Sequence, residues 1–218
     1  MKEMTYNVVE IFKSVEGEGK RVGLPVTFVR LYGCNLRCSY CDTLYGIEGN
    51  NYTPMTAEDI LFELKRYKCR RVTLTGGEPL IQPGIKHLID LMVTNGFLVN
   101  IETNGAVEIE PYVSYENVLI TLDYKCPSSG MEDKMIFSNF SCIRPTDVVK
   151  FVVGSKKDLE VAEYIVRQYG LHNAYFSPVF GCIEPSEIVD YIMDCNLNDV
   201  RVQLQIHKFI WNPDKRGV

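Results

Sequence analysis

Short apolar runs alternate along the chain with longer stretches in which apolar residues recur every three or four positions. The short runs are rich in β-branched residues and predict strands, whereas the longer stretches predict amphipathic helices. The predicted strands are Tyr6–Phe12, Val26–Tyr32, Arg71–Thr75, Leu98–Glu102, Val118–Leu122, Asp147–Val153, Ala174–Phe176 and Val200–Gln205. The predicted helices are Ala57–Tyr67, Gly84–Asn95, Lys156–Tyr169 and Pro185–Cys195.

Polar residues mark the beginnings of two of these helices. Thr56 and Ser155 each stand three positions before an aspartate, a pattern that satisfies the free amides of a first helical turn. Gly96 and Gly170 follow two helices, where a left-handed residue commonly ends the helix.

The alternation of strands and helices indicates an α/β fold with a parallel sheet. Four helices are too few for an eightfold barrel, so we expect a compact, open and partial TIM-like barrel. A chain of 218 residues buries one sizeable core, which predicts a single domain over residues 1–218. On such sheets, functional residues collect at the carboxyl ends of the strands.

Composition and charge exclude several classes of function. The net charge of −5 and the pI near 5.3 do not suggest a nucleic-acid partner, which would require a basic patch. No apolar run approaches the roughly 20 residues of a membrane-spanning helix. The first residues lack the pattern of a signal peptide, so we expect a cytoplasmic protein without a membrane partner.

Cysteine usage points to a metal site. Cytosolic thiols stay reduced, so a disulfide framework is not expected for the eight cysteines of this chain. Cys34, Cys38 and Cys41 form a CxxxCxxC run directly after a predicted strand, and such spacing lets three thiolates ligate one iron–sulfur cubane. A fourth cysteine is missing nearby, which leaves one iron open. The chemical alternative is structural zinc, which usually requires four ligands in paired units.

Polar turns follow three later strands. These are Thr75–Pro79 (TGGEP), Glu102–Gly105 (ETNG) and Asp123–Lys125 (DYK). Paired glycines permit a close backbone approach to a ligand, and a glutamate accepts hydrogen bonds from an ammonium group. Taken singly, each segment also fits an ordinary turn, and a lysine such as Lys125 is commonly a solvated side chain.

Together, the triad and the turns resemble the radical S-adenosylmethionine (SAM) superfamily. The resemblance implies a [4Fe–4S] cluster on the three cysteines and a SAM molecule that yields a 5′-deoxyadenosyl radical. That radical does the chemistry, so no protein residue is expected to act as a catalytic group itself. The cofactor-binding residues implied are Tyr40, Cys41, Asp42, Gly76, Gly77, Glu78, Glu102, Asn104, Asp123, Tyr124 and Lys125.

The two ends of the chain narrow the resemblance to one family. The segments Ile11–Gly19, Gly23–Pro25 and Phe28–Leu31, and the segments Arg201–Trp211 and Arg216–Val218, are similar to 7-carboxy-7-deazaguanine synthases. The resemblance implies a lyase of queuosine-type 7-deazapurine biosynthesis that contracts the ring of 6-carboxy-5,6,7,8-tetrahydropterin and releases ammonia. It further implies that the protein forms a homodimer and that an electron donor such as flavodoxin or ferredoxin reduces the cluster.

The family pattern also implies the residues that bind substrate and Mg²⁺. The substrate contacts are Val15, Glu16, Gly17, Glu18, Arg30, Thr75, His207 and Val218, and the Mg²⁺ ligand is Thr43. Arg30 is a bidentate donor suited to the substrate carboxylate, and Glu18 is an acceptor suited to the guanidine-like edge of the pterin. Read without the resemblance, Thr43 is a turn hydroxyl and His207 a buried histidine at a strand end.

One residue departs from the family pattern, and two other readings remain open. The family usually has glutamine where this chain has Glu16, which replaces an amide donor by a carboxylate. An activase that abstracts hydrogen from a glycine of a partner protein would share the cysteine triad and the GGEP turn but lack both terminal signatures. A non-catalytic iron–sulfur or zinc protein would supply protein ligands for all four metal positions. It would need neither the GGEP turn nor the ETNG turn.

Overall fold

A computed structural model of the protein describes residues 4–213 and 215–218. Nine strands are present in this part of the chain: β1 Tyr6–Val15, β2 Pro25–Leu31, β3 Thr53–Met55, β4 Arg71–Gly76, β5 Leu98–Thr103, β6 Val118–Tyr124, β7 Val148–Val153, β8 Ala174–Pro178 and β9 Val200–Val202. The α-helices are α1 Ala57–Arg66, α2 Ile85–Thr94, α3 Lys156–Tyr169, α4 Pro185–Asp194 and the short α5 His207–Ile210.

The strands form one open sheet in the order β3-β1-β2-β4-β5-β6-β7-β8-β9. From β2 to β9 all neighbours are parallel, whereas β1 pairs antiparallel with both β2 and β3. The predicted α/β fold with an open partial barrel is therefore confirmed. The carboxyl ends of β2 and β4 to β9 meet along one edge of the sheet.

The two faces of the sheet differ in polarity because successive side chains point to opposite sides of a strand. Val72 and Leu74 of β4 face the helices and belong to the main apolar core, together with Leu64 of α1 and Leu88 of α2. The inner face is polar instead. Thr73, Thr75, Asn100, Glu102, Thr121, Asp123, Lys150 and Ser177 lie on it, and we call this face the lumen.

A loop from Glu16 to Leu24 crosses the lumen beneath its polar residues. Arg21 donates from its guanidinium to the carbonyl of Leu98 at the start of β5, at 2.9 Å. Farther across the sheet, Gly19 pairs in both directions with the side-chain amide of Gln203, just after β9. The loop thus forms a floor that reaches both halves of the open sheet, and we call it the floor loop.

The helix caps follow the sequence expectation. Thr56 accepts from the backbone N–H of Asp59, and the Asp59 carboxylate accepts from the Thr56 N–H, which completes a capping box. Ser155 accepts from the N–H of Asp158 in the same way. Gly170 has a φ of 60°, the left-handed conformation expected after α3.

Three predicted elements need correction. The predicted strand Val200–Gln205 ends at Val202, and His207 therefore begins α5 rather than lying at a strand end. The strand that starts at Tyr6 continues to Val15, because its second half pairs with the whole of β2. The prediction lacked β3, a strand of three residues that contains a proline.

No helix in the described part of the chain is long and apolar enough to cross a bilayer.

Candidate active site

The three cysteines of the CxxxCxxC run lie in the loop after β2, at the carboxyl edge of the sheet. All three are free and partly exposed. The backbone N–H of Leu36 donates to Cys34 Sγ at 3.3 Å. Ser39 holds the loop to the segment after β6 through its N–H, which donates to the Ser129 carbonyl at 3.0 Å.

The spacing of these thiols within one loop is the basis for the predicted iron–sulfur cluster. Among the described residues, no three Cys, His, Asp or Glu side chains converge closely enough to hold one ion. A cubane is bound at separate corners, so its thiolates stand apart. Burial raises the pKa of the Cys38 and Cys41 thiols.

The two glycines of the TGGEP turn make room for the cysteine loop. A β-carbon on Gly76 would fall 2.1 Å from the Leu31 carbonyl oxygen, and one on Gly77 would fall 2.1 Å from the Gly33 carbonyl oxygen. The two glycines thus permit a close backbone approach to the chain itself, and the predicted approach to a ligand stays a prediction. Both glycines fix the position of the turn against the loop that carries Cys34.

Glu78 is fully enclosed, and its carboxylate is occupied by the chain. It accepts from the N–H groups of Asn104 at 2.6 Å and Leu80 at 3.0 Å, and from the Thr103 hydroxyl at 3.0 Å. Burial raises its pKa to about 7, although these donors oppose the rise. Glu78 thus joins the TGGEP turn to the ETNG turn, and its predicted contact with an ammonium group stays a prediction.

Asn104 reaches the cysteine loop with its side chain. Its amide nitrogen lies 3.5 Å from Cys34 Sγ and 2.8 Å from the Asn35 side-chain oxygen, and its own oxygen accepts from the Ala106 N–H. Asn104 therefore contacts Cys34, a predicted cluster ligand, and its own predicted contact with SAM stays a prediction.

The DYK segment divides between the two faces of β6. Asp123 forms ion pairs in the lumen with Lys125 at 3.0 Å and Lys150 at 3.2 Å. Its other oxygen, Oδ1, is buried and has no hydrogen-bond partner in the described structure. Burial opposes ionisation of Asp123, but the two lysines outweigh it and lower its pKa. A buried acceptor without a donor fits a ligand that brings one.

Tyr124 points to the opposite face of the sheet and is 1% exposed. Its ring packs against Phe137, Phe140 and Phe151. The predicted cofactor contact of Tyr124 is therefore not made by its side chain.

Glu102, Thr75 and Arg30 meet in the upper lumen. The Thr75 side chain hydrogen-bonds Glu102, and burial raises the pKa of Glu102 although Lys150 opposes the rise. Arg30 donates from Nε to Glu10 Oε1 at 2.7 Å. That contact engages the Nε of the guanidinium and ties Arg30 of β2 to Glu10 of β1.

The floor loop carries the predicted substrate residues Glu16, Gly17 and Glu18. Glu16 is 1% exposed and accepts from the Thr73 hydroxyl at 2.5 Å. Burial, reinforced by Glu102, raises the pKa of Glu16 to about 8. Its side chain is therefore enclosed in the floor. Val15 is the last residue of β1 and pairs with Pro25.

α5 and the cysteine loop meet at the mouth of the lumen. Lys208 forms an ion pair with Asp42 at 3.2 Å, and the Thr43 hydroxyl donates to the same carboxylate at 2.9 Å. His207 packs on Gly17, and burial lowers the pKa of its imidazole. Tyr40 spans to β7, where its hydroxyl donates to the Val152 carbonyl at 3.3 Å.

The last residues of the chain approach the same mouth. The Arg216 guanidinium lies 3.9 Å from the centre of the Tyr45 ring, and the Tyr45 hydroxyl donates to Glu10 at 3.0 Å. Val218 is partly exposed. Within the described residues, Val218 forms no hydrogen bond or ion pair with a side chain of the lumen.

Sequence reasoning missed several residues of this site, among them Lys150, Glu10 and Tyr45. Lys150 did carry a signal, because it is a lone lysine in the otherwise apolar strand VVKFVV. A charge at a fully buried strand position needs partners. Glu10 and Tyr45 had no comparable pattern.

The chain is similar to known proteins over nearly its whole length. Residues 28–129 match the family described as the Radical SAM superfamily. The chain is 49% identical to the 7-carboxy-7-deazaguanine synthase of Clostridium acetobutylicum, over 99% of this chain and 100% of that one. It is 40% identical to the 7-carboxy-7-deazaguanine synthase of Methanospirillum hungatei, over 94% of this chain and 86% of that one.

A solved structure agrees with these sequence relatives. The fold is similar to the crystal structure of QueE from Escherichia coli, with a TM-score of 0.73 and 26% sequence identity. The match covers 92% of this chain and 93% of that one.

Proposed function

Because this chain belongs to the 7-carboxy-7-deazaguanine synthase family of radical SAM enzymes, we propose that it converts 6-carboxy-5,6,7,8-tetrahydropterin to 7-carboxy-7-deazaguanine. The reaction contracts the pterin ring, releases ammonia and serves the biosynthesis of 7-deazapurines such as queuosine. One observation carries the proposal. The cysteine loop and the turns after β4, β5 and β6 converge at one edge of the sheet, directly above a lumen lined by Arg30, Glu18 and Glu102.

Membership of the superfamily brings a [4Fe–4S] cluster and SAM, and this donor set fits both. Cys34, Cys38 and Cys41 would hold the cluster. The segments around Tyr40, Asp42, Gly76, Gly77, Asn104 and Lys125 would enclose SAM. When bound, the two groups supply a 5′-deoxyadenosyl radical, and the protein supplies placement and shielding.

Arg30 would bind the carboxylate of the substrate. Its Nε is bonded to Glu10, so the rigid fork of the guanidinium is already oriented. Burial opposes the charge, but Tyr45 and Glu10 outweigh it and raise the pKa of Arg30. A permanently charged fork binds a carboxylate through two parallel hydrogen bonds.

The opposite end of the pterin would meet Glu18 and the backbone of Val15, Glu16 and Gly17. Glu18 accepts from Lys150 at 3.2 Å and from Gln205 at 3.1 Å, which fixes the carboxylate below the mouth. Thr75 would lie beside the cofactor. His207 and the tail ending at Val218 would cover the site from above, which limits the access of water to the radical.

Several finer features belong to the proposal. Thr43 would contribute its hydroxyl to a Mg²⁺ ion that also touches the substrate, since Mg²⁺ is often held by few protein oxygens plus substrate. The chain would act as one radical SAM domain over residues 1–218, as a homodimer in the cytoplasm. A flavodoxin or ferredoxin would reduce the cluster.

The test is an anaerobic assay of the reconstituted protein with SAM, a reductant and 6-carboxy-5,6,7,8-tetrahydropterin. We expect 7-carboxy-7-deazaguanine and ammonia, with SAM regenerated rather than consumed. Formation of 5′-deoxyadenosine without that product would retain the radical chemistry and reject the substrate. A protein that reacts instead with a glycine of a partner protein would be an activase.

A further inference from the structure

Lys150 is the least expected charge in the lumen. It lies in the middle of β7 and is 7% exposed, and its neighbours along the strand are apolar. Its ammonium group lies 3.2 Å from Glu18 Oε2 and 3.2 Å from Asp123 Oδ2. It therefore joins the floor loop to β6.

Each carboxylate is held by only one of its oxygens. Oδ2 of Asp123 is bonded to Lys150 and to Lys125, and Oδ1 is buried without a partner in the described structure. Oε2 of Glu18 is bonded to Lys150 and to Gln205. The same lysine thus anchors one side of both acids.

The second oxygen of Glu18 has one nearby donor in the described structure, and that donor is engaged elsewhere. Ser177 Oγ lies 3.3 Å from Glu18 Oε1 but 2.7 Å from the carbonyl oxygen of Gln203. A hydroxyl has a single hydrogen, and the shorter contact is the better hydrogen bond. Glu18 Oε1 is therefore left as a free acceptor, as Asp123 Oδ1 is.

We propose that Lys150 is a positioning residue that presents two acceptor oxygens, Glu18 Oε1 and Asp123 Oδ1, to N–H or O–H donors of the bound ligands. The proposal rests on the proposed function. Glu18 Oε1 takes a donor from the amino-pyrimidinone edge of the substrate. Asp123 Oδ1 takes a donor from SAM.

The electrostatics of the lumen support this arrangement. Burial disfavours a charged lysine, but Asp123, Glu18 and Glu102 outweigh it and raise the pKa of Lys150 well above the ordinary value. Lys150 therefore stays charged throughout the physiological range. An ammonium between two carboxylates also removes the repulsion that they would otherwise exert on each other.

Two variants and a control separate the contact of Glu18 with the substrate from the contact of Asp123 with SAM. In Lys150→Met, both acids lose their shared anchor. In Gln205→Leu, only Glu18 loses a donor, and all charges remain. Lys134→Met is the matched control, because it removes an exposed lysine–aspartate pair outside the lumen.

The experiment measures anaerobic equilibrium binding of SAM and of 6-carboxy-5,6,7,8-tetrahydropterin to each reconstituted protein, with iron content and steady-state kinetics. For Lys150→Met we expect unchanged iron and a loss of about tenfold to a hundredfold in affinity for both ligands, because charge-assisted hydrogen bonds are lost. For Gln205→Leu we expect a weaker affinity for the pterin alone. Lys134→Met should match the wild type in all measurements.

Two results would overturn the proposal: wild-type affinities in Lys150→Met, or a loss of iron in that variant that parallels the loss of binding. If Lys150→Met does not fold, Gln205→Leu tests the proposal instead. An unchanged pterin affinity in Gln205→Leu would contradict the idea that donors to Glu18 Oε2 orient this carboxylate for the substrate. A wild type that binds SAM but makes no 7-carboxy-7-deazaguanine refutes the proposed function separately. The SAM affinity of Lys150→Met still tests the Asp123 contact in that case.

Discussion

The imidazole of His207 packs so tightly on Gly17 that a β-carbon at position 17 would fall 2.1 Å from Nδ1. The backbone strengthens this contact, because the N–H of Ile206 donates to the Gly17 carbonyl at 3.1 Å. A glycine of the floor loop thus sets the height of α5 above the lumen. Gly17 is required by the space that His207 occupies.

Gly17→Ala should displace His207 and lower kcat/KM by about tenfold or more, because small misplacements of site residues are costly. The backbone at this position is compatible with alanine, since Gly17 has no positive φ. A double-mutant cycle with His207→Ala measures the coupling through kcat/KM and the free energy of unfolding. Once the ring is absent, the added methyl group should cost little. Equal costs of Gly17→Ala with and without the imidazole would contradict the packing argument.

Glu16→Gln should stabilise the protein increasingly as pH rises. The folded chain holds the Glu16 proton with a pKa of about 8 against 4.5 for a free glutamate, so the free energy of unfolding of the wild type falls between these pH values. Glutamine does not titrate, so the variant does not lose stability in this way. Its free energy of unfolding should exceed that of the wild type by more than about 1 kcal/mol at pH 8. Anaerobic denaturant titrations at several pH values test this, with Glu108→Gln on the exposed surface as control. A stability difference independent of pH would refute it.

Asn104→Ala should make the reduction potential of the cluster more negative. The amide of Asn104 donates toward Cys34 Sγ at 3.5 Å, and hydrogen bonds to cluster sulfurs stabilise the more negative reduced state. A redox titration followed by electron paramagnetic resonance measures the shift. Asn95→Ala, at the end of α2, removes an exposed amide far from the cysteine loop and should leave the potential unchanged.

Cys38→Ala should abolish cluster assembly, because only three thiols are available in the loop. Iron and sulfide content of the reconstituted protein are the measurements. Cys182→Ala, at an exposed and isolated thiol, should keep full cluster content. Normal iron content in Cys38→Ala would remove Cys38 from the ligand set.

Thr43→Ala should weaken the response of turnover to added Mg²⁺. The hydroxyl that would reach the ion is lost, while the ion pair between Asp42 and Lys208 stays in place. Initial rates over a series of Mg²⁺ concentrations test the effect. A full wild-type response would show that Thr43 is only a turn hydroxyl.

The strands and helices were largely predictable because their signals are local. The caps at Thr56 and Ser155 and the apolar periods depend on residues within a few positions of each other. β9 was predicted too long because the residues after Val202 turn toward the floor loop. That turn depends on Gly17 and Gly19, which lie almost the whole chain away.

In the site, the sequence predicted which segments meet but not what each side chain contacts. Glu78 and Asn104 stand in recognisable motifs, yet their partners are the neighbouring turn and Cys34. Hydrogen-bond partners depend on how turns pack in three dimensions. The aromatic partners of Tyr124 likewise come from two separate segments, the turn that holds Phe137 and Phe140 and the strand that holds Phe151.

The floor loop also implies an order of assembly for the two halves of the site. Contacts among the turns that surround the cluster span short separations, such as 25 positions for Thr103 with Glu78 and 70 for Asn104 with Cys34. The floor loop is held to β4 and β5 over similar separations, 57 positions for Thr73 with Glu16 and 77 for Arg21 with Leu98. Its contacts with the segment after β9 span 184 positions for Gln203 with Gly19 and 187 for Gln205 with Glu18. Contacts between distant positions form late, because closing the intervening chain costs more entropy. On a ribosome, the cluster end of the pocket can therefore take shape before Gln203 and Gln205 are synthesised, whereas the side of the floor loop that carries Glu18 and Gly19 waits for both residues.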